Sequence, residues 1–193
     1  MTIVNKIIAM LYAIFLYPVQ FKHFGKKSRI IAPLRLNGKK NIDIGSKTYI
    51  AYNTWLASVA ITGEKESILK IGNGCAIGHF NHIYATKSII IEDYVLTADK
   101  VFIADSLHGY ENPFMPVIQQ PVKQISTVII GEGSWLGENV CVIGAKIGKH
   151  CVIGANSVVT KNIPDYSVAV GTPAKIIKQY NFETKQWENL NAL

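Results

Sequence analysis

Aliphatic residues recur along this chain at a step of six. In "LKIGNGCAIGHFNHI", Ile71, Ile77 and Ile83 are six residues apart, and Gly72 and Gly78 directly follow the first two. The step returns in "VIIGEGSWLGENVCVIGAKIGKHCVIGANSVV" at Ile130, Leu136 and Val142, then, after one shortened interval, at Ile147, Ile153 and Val159. An isolated pair, Ile44 and Ile50, has it in "NIDIGSKTYI". A period of six suits neither a helix face nor simple strand alternation, since both require apolar residues more often. It predicts a mainly β solenoid of short flat strands. One aliphatic side chain per side points into a shared interior, the following glycine relieves the corner, and three sides close a triangular coil that stacks on its neighbours. A β-sandwich with Gly-rich turns is the competing architecture, but its strands would alternate apolar and polar residues over longer stretches.

The beat stops at "VFIADSLHGYENPF", residues 101–114, and the run beyond it contains Pro113, Pro116 and Pro121. Prolines at that density exclude regular strand pairing, so a loop is expected to protrude from about residue 109 to 126. Tyr110, Phe114 and Met115 make it a stiffened, apolar arm.

The N-terminal stretch "MTIVNKIIAMLYAIFLYPVQFKHFGKK" has no six-residue beat. Its apolar run from Ile7 to Tyr17 stops at Pro18, too short to span a bilayer as one helix, and no small-residue cleavage site follows. This helix either packs on protein, its own domain or a neighbouring subunit, or lies in a membrane surface held by Lys22, Lys26, Lys27 and Arg29. Residues 1–30 are therefore read as an apolar and basic helical segment, 31–170 as the solenoid and 171–193 as a C-terminal extension.

Charge sharpens this division. The formal balance of +7 comes from 20 Lys and Arg against 13 Asp and Glu. Nine of the basic residues (Lys6, Lys22, Lys26, Lys27, Arg29, Arg35, Lys39, Lys40 and Lys47) fall in the first fifty positions, against Asp43 alone, so the rest is nearly neutral. A nucleic-acid partner is not expected, because no aromatic platform or recognition-helix pattern accompanies the cations. With 193 residues, 49% of them hydrophobic, the chain suits one domain with a substantial core. Cys75, Cys141 and Cys151 sit beside apolar residues without metal-ligand spacing. Their odd number points to reduced thiols and a cytoplasmic protein, with peripheral contact at the inner face of a membrane as a second reading.

The (Ile/Val/Leu)-Gly-x4 tandem resembles the hexapeptide-repeat acyltransferases from about residue 40 to 178, most strongly in "SWLG…IG…VIGANSVVTKNIP…VGTPAKIIK". That resemblance implies a left-handed parallel β-helix and a homotrimer with active sites in the clefts between subunits. The segment "DSLHGY" is similar to the branch that acetylates sugars of surface polysaccharides. It implies acetyl-CoA as co-substrate and His108 as the base that takes the proton of a sugar hydroxyl. An imidazole with a pKa of about 6.5 suits that task at neutral pH. Asp105, three residues earlier, would orient the imidazole, contact the sugar or serve as a turn residue.

His79, Asn81 and His82 in "IGHFNHIYA" and Tyr110 in the arm are the further candidates for the acceptor pocket, although "GHFN" puts His79 where related enzymes carry asparagine. By the same resemblance CoA would run along the last coils, at Gly154, Ala155, Ser157, Thr160 and Lys161, with Lys175 and Lys178 toward its phosphates and Trp135 against its cleft. The arm would close over a neighbouring subunit's cleft and help choose the acceptor, or serve assembly alone. Hexapeptide-repeat carbonic anhydrases bind a metal through histidines, but their close H-x4-H pair has no counterpart around His108, so no metal is expected. N-acetylation of an amino sugar and a non-catalytic assembly scaffold are the competing functions.

Overall fold

The computed structural model describes residues 3–190. From His23 onward the chain winds as a triangular parallel β-helix, and each turn lays one short strand on each of three sheets, here A, B and C. Coils 1 to 6 span residues 23–37, 42–58, 68–85, 88–104, 128–143 and 146–159, and a partial seventh runs through 163–170. The predicted beat is the inward column of each sheet. On sheet A, Phe24, Ile44, Ile71, Ile91, Ile130, Ile147 and Ile163 lie in register. Sheet B stacks Ile30, Ile50, Ile77, Thr97, Leu136, Ile153 and Ala169. Sheet C stacks Leu36, Leu56, Ile83, Ile103, Val142 and Val159. Nearly all of these are fully buried, at about 1.5–3 kcal/mol for each large aliphatic side chain.

The glycine after the sheet A residue serves a different purpose from the one expected. At Gly45 the backbone is not left-handed. A Cβ there would lie 2.5 Å from the carbonyl carbon of Gly72 and 2.7 Å from the amide nitrogen of Asn73, so the close approach of successive coils excludes a side chain. Buried hydroxyls tie the next corner. Thr48 Oγ1 donates to the Gly72 carbonyl at 2.6 Å and accepts from the Cys75 amide at 3.2 Å, and Ser134 does the same for Gly148 and Cys151. Cys75 and Cys151 occupy equivalent places, with their thiols on the carbonyls of Glu92 and Pro164 at 3.1 and 3.0 Å. Burial pushes both thiol pKa values up, which makes them packing residues rather than nucleophiles. Cys141 is half-buried on the outer face of sheet C.

The solenoid begins earlier than residue 31, because coil 1 already has the step at Phe24, Ile30 and Leu36. The helix before it also passes the residue expected to end it. It runs through Ile3–Leu11, a wide turn at Tyr12–Leu16 and a last turn at Tyr17–Gln20 that contains Pro18. Tyr17 N–H bonds to the Tyr12 carbonyl, five residues back. That wider winding carries the chain past a residue with no N–H to offer. Tyr17, Phe21 and Phe24 then pack at ring separations of 5.1–5.5 Å and seal the base of coil 1. Burial pushes the Tyr17 phenol up to about 12. Among the described residues no helix is long and apolar enough to cross a membrane. At the opposite end, Lys175–Asn181 pairs antiparallel with Ser167–Val170, and Gln186–Asn189 adds one more strand.

Candidate functional site

The insertion between coils 4 and 5 is anchored before it protrudes. Ser106–His108 pairs antiparallel with Val122–Gln124, so His108 stands on a short hairpin strand opposite Val122 rather than in irregular loop. Beyond the hairpin, Gln120 folds the arm on itself by donating to the carbonyls of Asn112 and Met115 and accepting from the Asn112 amide, all within 2.9–3.1 Å. Lys123 and Glu111 close its base with an ion pair of 2.6 Å, and this bond holds the Glu111 carboxyl below its ordinary range. The tip is exposed, with Phe114 at 95% and Ile118 at 88%.

His108 is solvent-exposed and lines a cleft of about 390 Å³ against the outer face of sheet C. Trp55, His82, Tyr84 and Phe102 form the wall of that cleft, and Leu107 and Val122 of the hairpin form its lip together with His108. The wall follows from register. Arg35, Trp55, His82 and Phe102 succeed one another on coils 1 to 4, each just before the inward residue of sheet C. Trp55 and His82 stack face to face, Phe102 meets the edge of His82 at 5.3 Å, and the Arg35 guanidinium lies 5.0 Å from the indole centre. Burial lowers the His82 pKa, and its Nε2 is buried without a hydrogen-bond partner. A wall of flat apolar rings with a few polar edges suits a ligand with both faces and hydroxyls. Trp55, Tyr84 and Phe102 were not singled out from the sequence, yet each lies one position before or after an inward residue of sheet C, and that offset marks the outer face.

Three expected contacts belong instead to the scaffold. Asp105 is 0% exposed, and its carboxylate accepts from the Thr86, Lys87 and Ser88 amides and the Thr86 hydroxyl at 2.7–2.8 Å. It holds the start of the hairpin to the turn between coils 3 and 4, has no exposed surface to offer a sugar, and makes none of its hydrogen bonds to His108. Asn81 is buried, and its side-chain amide donates to the carbonyls of His79 and Ala98. Ser157 is fully buried and accepts from the Gly171 amide at 3.0 Å, so it has no surface to present to CoA. His79 sits at the corner between sheets B and C against Tyr52, 3.8 Å between ring centres, outside the cleft lining. Tyr110 is exposed at the root of the arm.

The remaining donor-site candidates all lie on the last coils, but not together. Trp135 is exposed on the outer face of sheet B, in register with Val152, then Val168, then Lys178. Gly154 and Ala155 turn the next corner, from sheet B to sheet C. Thr160 and Lys161 follow Val158–Val159 and turn from sheet C toward sheet A, and Lys175 is exposed on the C-terminal strand. Among the described residues no group of three or more His, Cys, Asp or Glu is placed to hold a metal ion.

The family described as hexapeptide repeat of succinyl-transferase matches residues 127–161. The chain is 41% identical over 129 residues to a protein named as the lipopolysaccharide biosynthesis O-acetyl transferase WbbJ of Escherichia coli strain K12, covering 63% of this chain and 65% of that one. It is 34% identical over 144 residues to the galactoside O-acetyltransferase of the same strain, covering 72% of this chain and 66% of the enzyme. The chain thus spans just under two thirds of the length of these relatives. Among solved structures, AntD, an N-acyltransferase from Bacillus cereus in complex with dTDP and 3-hydroxybutyryl-CoA, superposes with a TM-score of 0.72 at 20% identity over 88% of each chain. That likeness establishes the left-handed β-helix fold and nothing finer.

Proposed function

We propose that this chain, which is similar to the hexapeptide-repeat acyltransferases over residues 127–161 and to the O-acetyltransferases above, transfers an acetyl group from acetyl-CoA to a hydroxyl of a sugar in a surface polysaccharide or its precursor. The observation that carries the reading is the accessible imidazole of His108 at the lip of the aromatic cleft on sheet C. The relatives named as O-acetyltransferases support oxygen over nitrogen as the acceptor.

In this reading a sugar ring lies against the outward edges of Trp55, His82 and Phe102, and His108 takes the hydroxyl proton as the oxygen attacks the thioester carbonyl carbon. Collapse of the tetrahedral intermediate breaks the carbon–sulfur bond. The imidazolium returns the proton to the departing thiolate, so the products are the acetyl ester and free CoA thiol. Ala155 is small enough to let the pantetheine arm approach the backbone, and Lys161 and Lys175 offer charge to the CoA phosphates. Ser157 has no part in donor binding. The reading includes a homotrimer, supported by the nearly naked Phe114 and Ile118, which would rest on a neighbouring subunit's cleft.

Acceptor-dependent release of CoA thiol, measured across a panel of hydroxyl and amine sugars, tests the proposal. Wild type should acetylate hydroxyl acceptors, and His108→Ala should lose about two orders of magnitude or more in kcat. Activity that survives the substitution displaces His108 as base. Transfer confined to amine acceptors replaces the O-acetyl reading with N-acetylation, and no release with no CoA binding leaves a scaffold.

A further inference from the structure

Nearly all the described side chains of the N-terminal helix are apolar and exposed. Val4, Ile7, Ile8, Met10, Leu11, Tyr12, Ile14, Phe15, Leu16 and Val19 are all 38–67% exposed, while Tyr17 alone among the helix side chains described is buried. A helix with so many exposed apolar side chains belongs against protein or lipid, not in water. The cations beside it are equally unspent. Every ion pair among the described residues lies beyond residue 60 (Lys87–Glu64, Lys100–Glu138, Lys123–Glu111 and Lys149–Glu132). Lys22, Lys26, Lys27, Arg29 and Lys47 are exposed at this end of the β-helix, where the only acidic residue in the first fifty is Asp43. The two features meet in a groove of about 390 Å³ beneath the helix, with Met10, Ile14 and Phe24 in its walls and Lys26, Lys27 and Arg29 along it.

We propose that the N-terminal helix and the basic base of coil 1 dock the protein on an anionic lipid surface. In this arrangement the helix lies among the acyl chains near the headgroups, and Lys22, Lys26, Lys27 and Arg29 meet lipid phosphates. The charge pattern selects this occupant over a second copy of the same face, because two such faces would bring like-signed clusters together with little acid to offset them. The helix is too short to cross, so the mode is peripheral, with apolar insertion and electrostatic attraction each supplying part of the affinity. Docking does not depend on the proposed acetyl transfer, and its readout is independent of activity.

Flotation of the full chain with vesicles is the test. One set is phosphatidylcholine, and the other is phosphatidylcholine and phosphatidylglycerol in equal parts. Wild type should float with the anionic set, bind the neutral set at least tenfold more weakly, and be released by high salt. Phe15→Asp changes an exposed side chain and should abolish flotation while leaving the melting profile and sedimentation unchanged. Lys26→Gln with Lys27→Gln should weaken binding by about fivefold for each charge removed. Wild type that stays with the soluble fraction at low salt overturns the proposal. So does flotation that ignores both variants. A Phe15→Asp protein that changes its oligomeric state also overturns it and makes the helix a subunit contact.

Discussion

The imidazole of His82 lies flat on the indole of Trp55, with ring centres 4.2 Å apart and planes 8° from parallel. The pair is a direct product of parallel register, since Trp55 and His82 are partners on adjacent coils of sheet C. It forms the middle of the cleft wall that faces His108.

Truncating that wall should weaken the acceptor without disabling the base. Trp55→Ala is expected to raise the acceptor KM about tenfold, because the indole edge left open between Arg35 and His82 would no longer meet the sugar. The value of kcat should stay within about threefold of wild type, and Trp55→Phe should recover most of the affinity. Steady-state kinetics with the acceptor varied will show the split. An unchanged KM would remove the sugar from this wall.

Burial lowers the His82 pKa, so the folded protein resists a proton that the unfolded chain accepts at an ordinary histidine pKa of about 6.5. Between the two values the unfolded state binds more protons, and stability therefore rises with pH. The full contribution is present above about 6.5 and is lost as pH falls toward the folded value. Denaturant unfolding measured across this window should show the slope in wild type and less of it in His82→Gln.

Asp105→Asn should destabilise the fold by about 3 kcal/mol, the cost of leaving buried donors unsatisfied. One amide oxygen can still accept, but the NH2 group would face the amide donors that the second carboxylate oxygen now satisfies, those of Lys87 and Ser88. The hairpin carrying His108 starts at this residue, so activity should fall with stability rather than independently of it. Chemical denaturation alongside turnover measures both.

How much of this was legible follows from what each residue answers to. The aliphatic step is imposed by the solenoid's geometry and shows wherever the inward residue is Ile, Val or Leu. It disappeared in coil 4, where the sheet B residue is Thr97, with its hydroxyl satisfied by the Gly78 amide at 3.1 Å. It went unread in coil 1, where the sheet A residue is Phe24. The insertion that carries His108 was legible because a break in a repeat is visible in one dimension. Asp105, Asn81 and Ser157 could not be assigned from spelling alone, because a polar residue beside a site and a polar residue that ties coils together look the same in one dimension. Only burial and partners separate them. Trp55 escaped because its meaning lies in stacking on His82, a residue distant in the chain.

Gly45→Ala should cost about 2 kcal/mol, in the range for overpacking a tight interior. The added methyl group would have to push apart the backbones of coils 2 and 3. Thermal unfolding of this variant beside an alanine substitution at the open Gly63, where a Cβ meets nothing within 4 Å, separates crowding from local backbone preference. Gly63 has a positive φ of 86°, so its variant reports the backbone cost alone.

Replacing residues 111–119 of the arm by a short Gly-Ser link should leave the β-helix folded, because only exposed positions are removed. If the arm selects acceptors, sedimentation will show unchanged association while the order of preference in the acceptor panel shifts. Loss of association would assign the arm to assembly.

The outer column Arg35, Trp55, His82 and Phe102 also acts as a ruler. Its rungs are set by strand spacing, about 4.8 Å each, so Phe102 stands about 14 Å above Arg35 along the helix axis. If the basic base sits on lipid as proposed, with the β-helix axis along the membrane normal, height on sheet C would become distance from the membrane. A saccharide held at its lipid end would then be measured by the number of coils below His108, and the hydroxyl that meets the imidazole would be chosen by counting sugars outward. Inserting one extra coil between the basic base of coil 1 and the cleft wall that begins at Trp55 would shift that count while keeping every residue that lines the cleft.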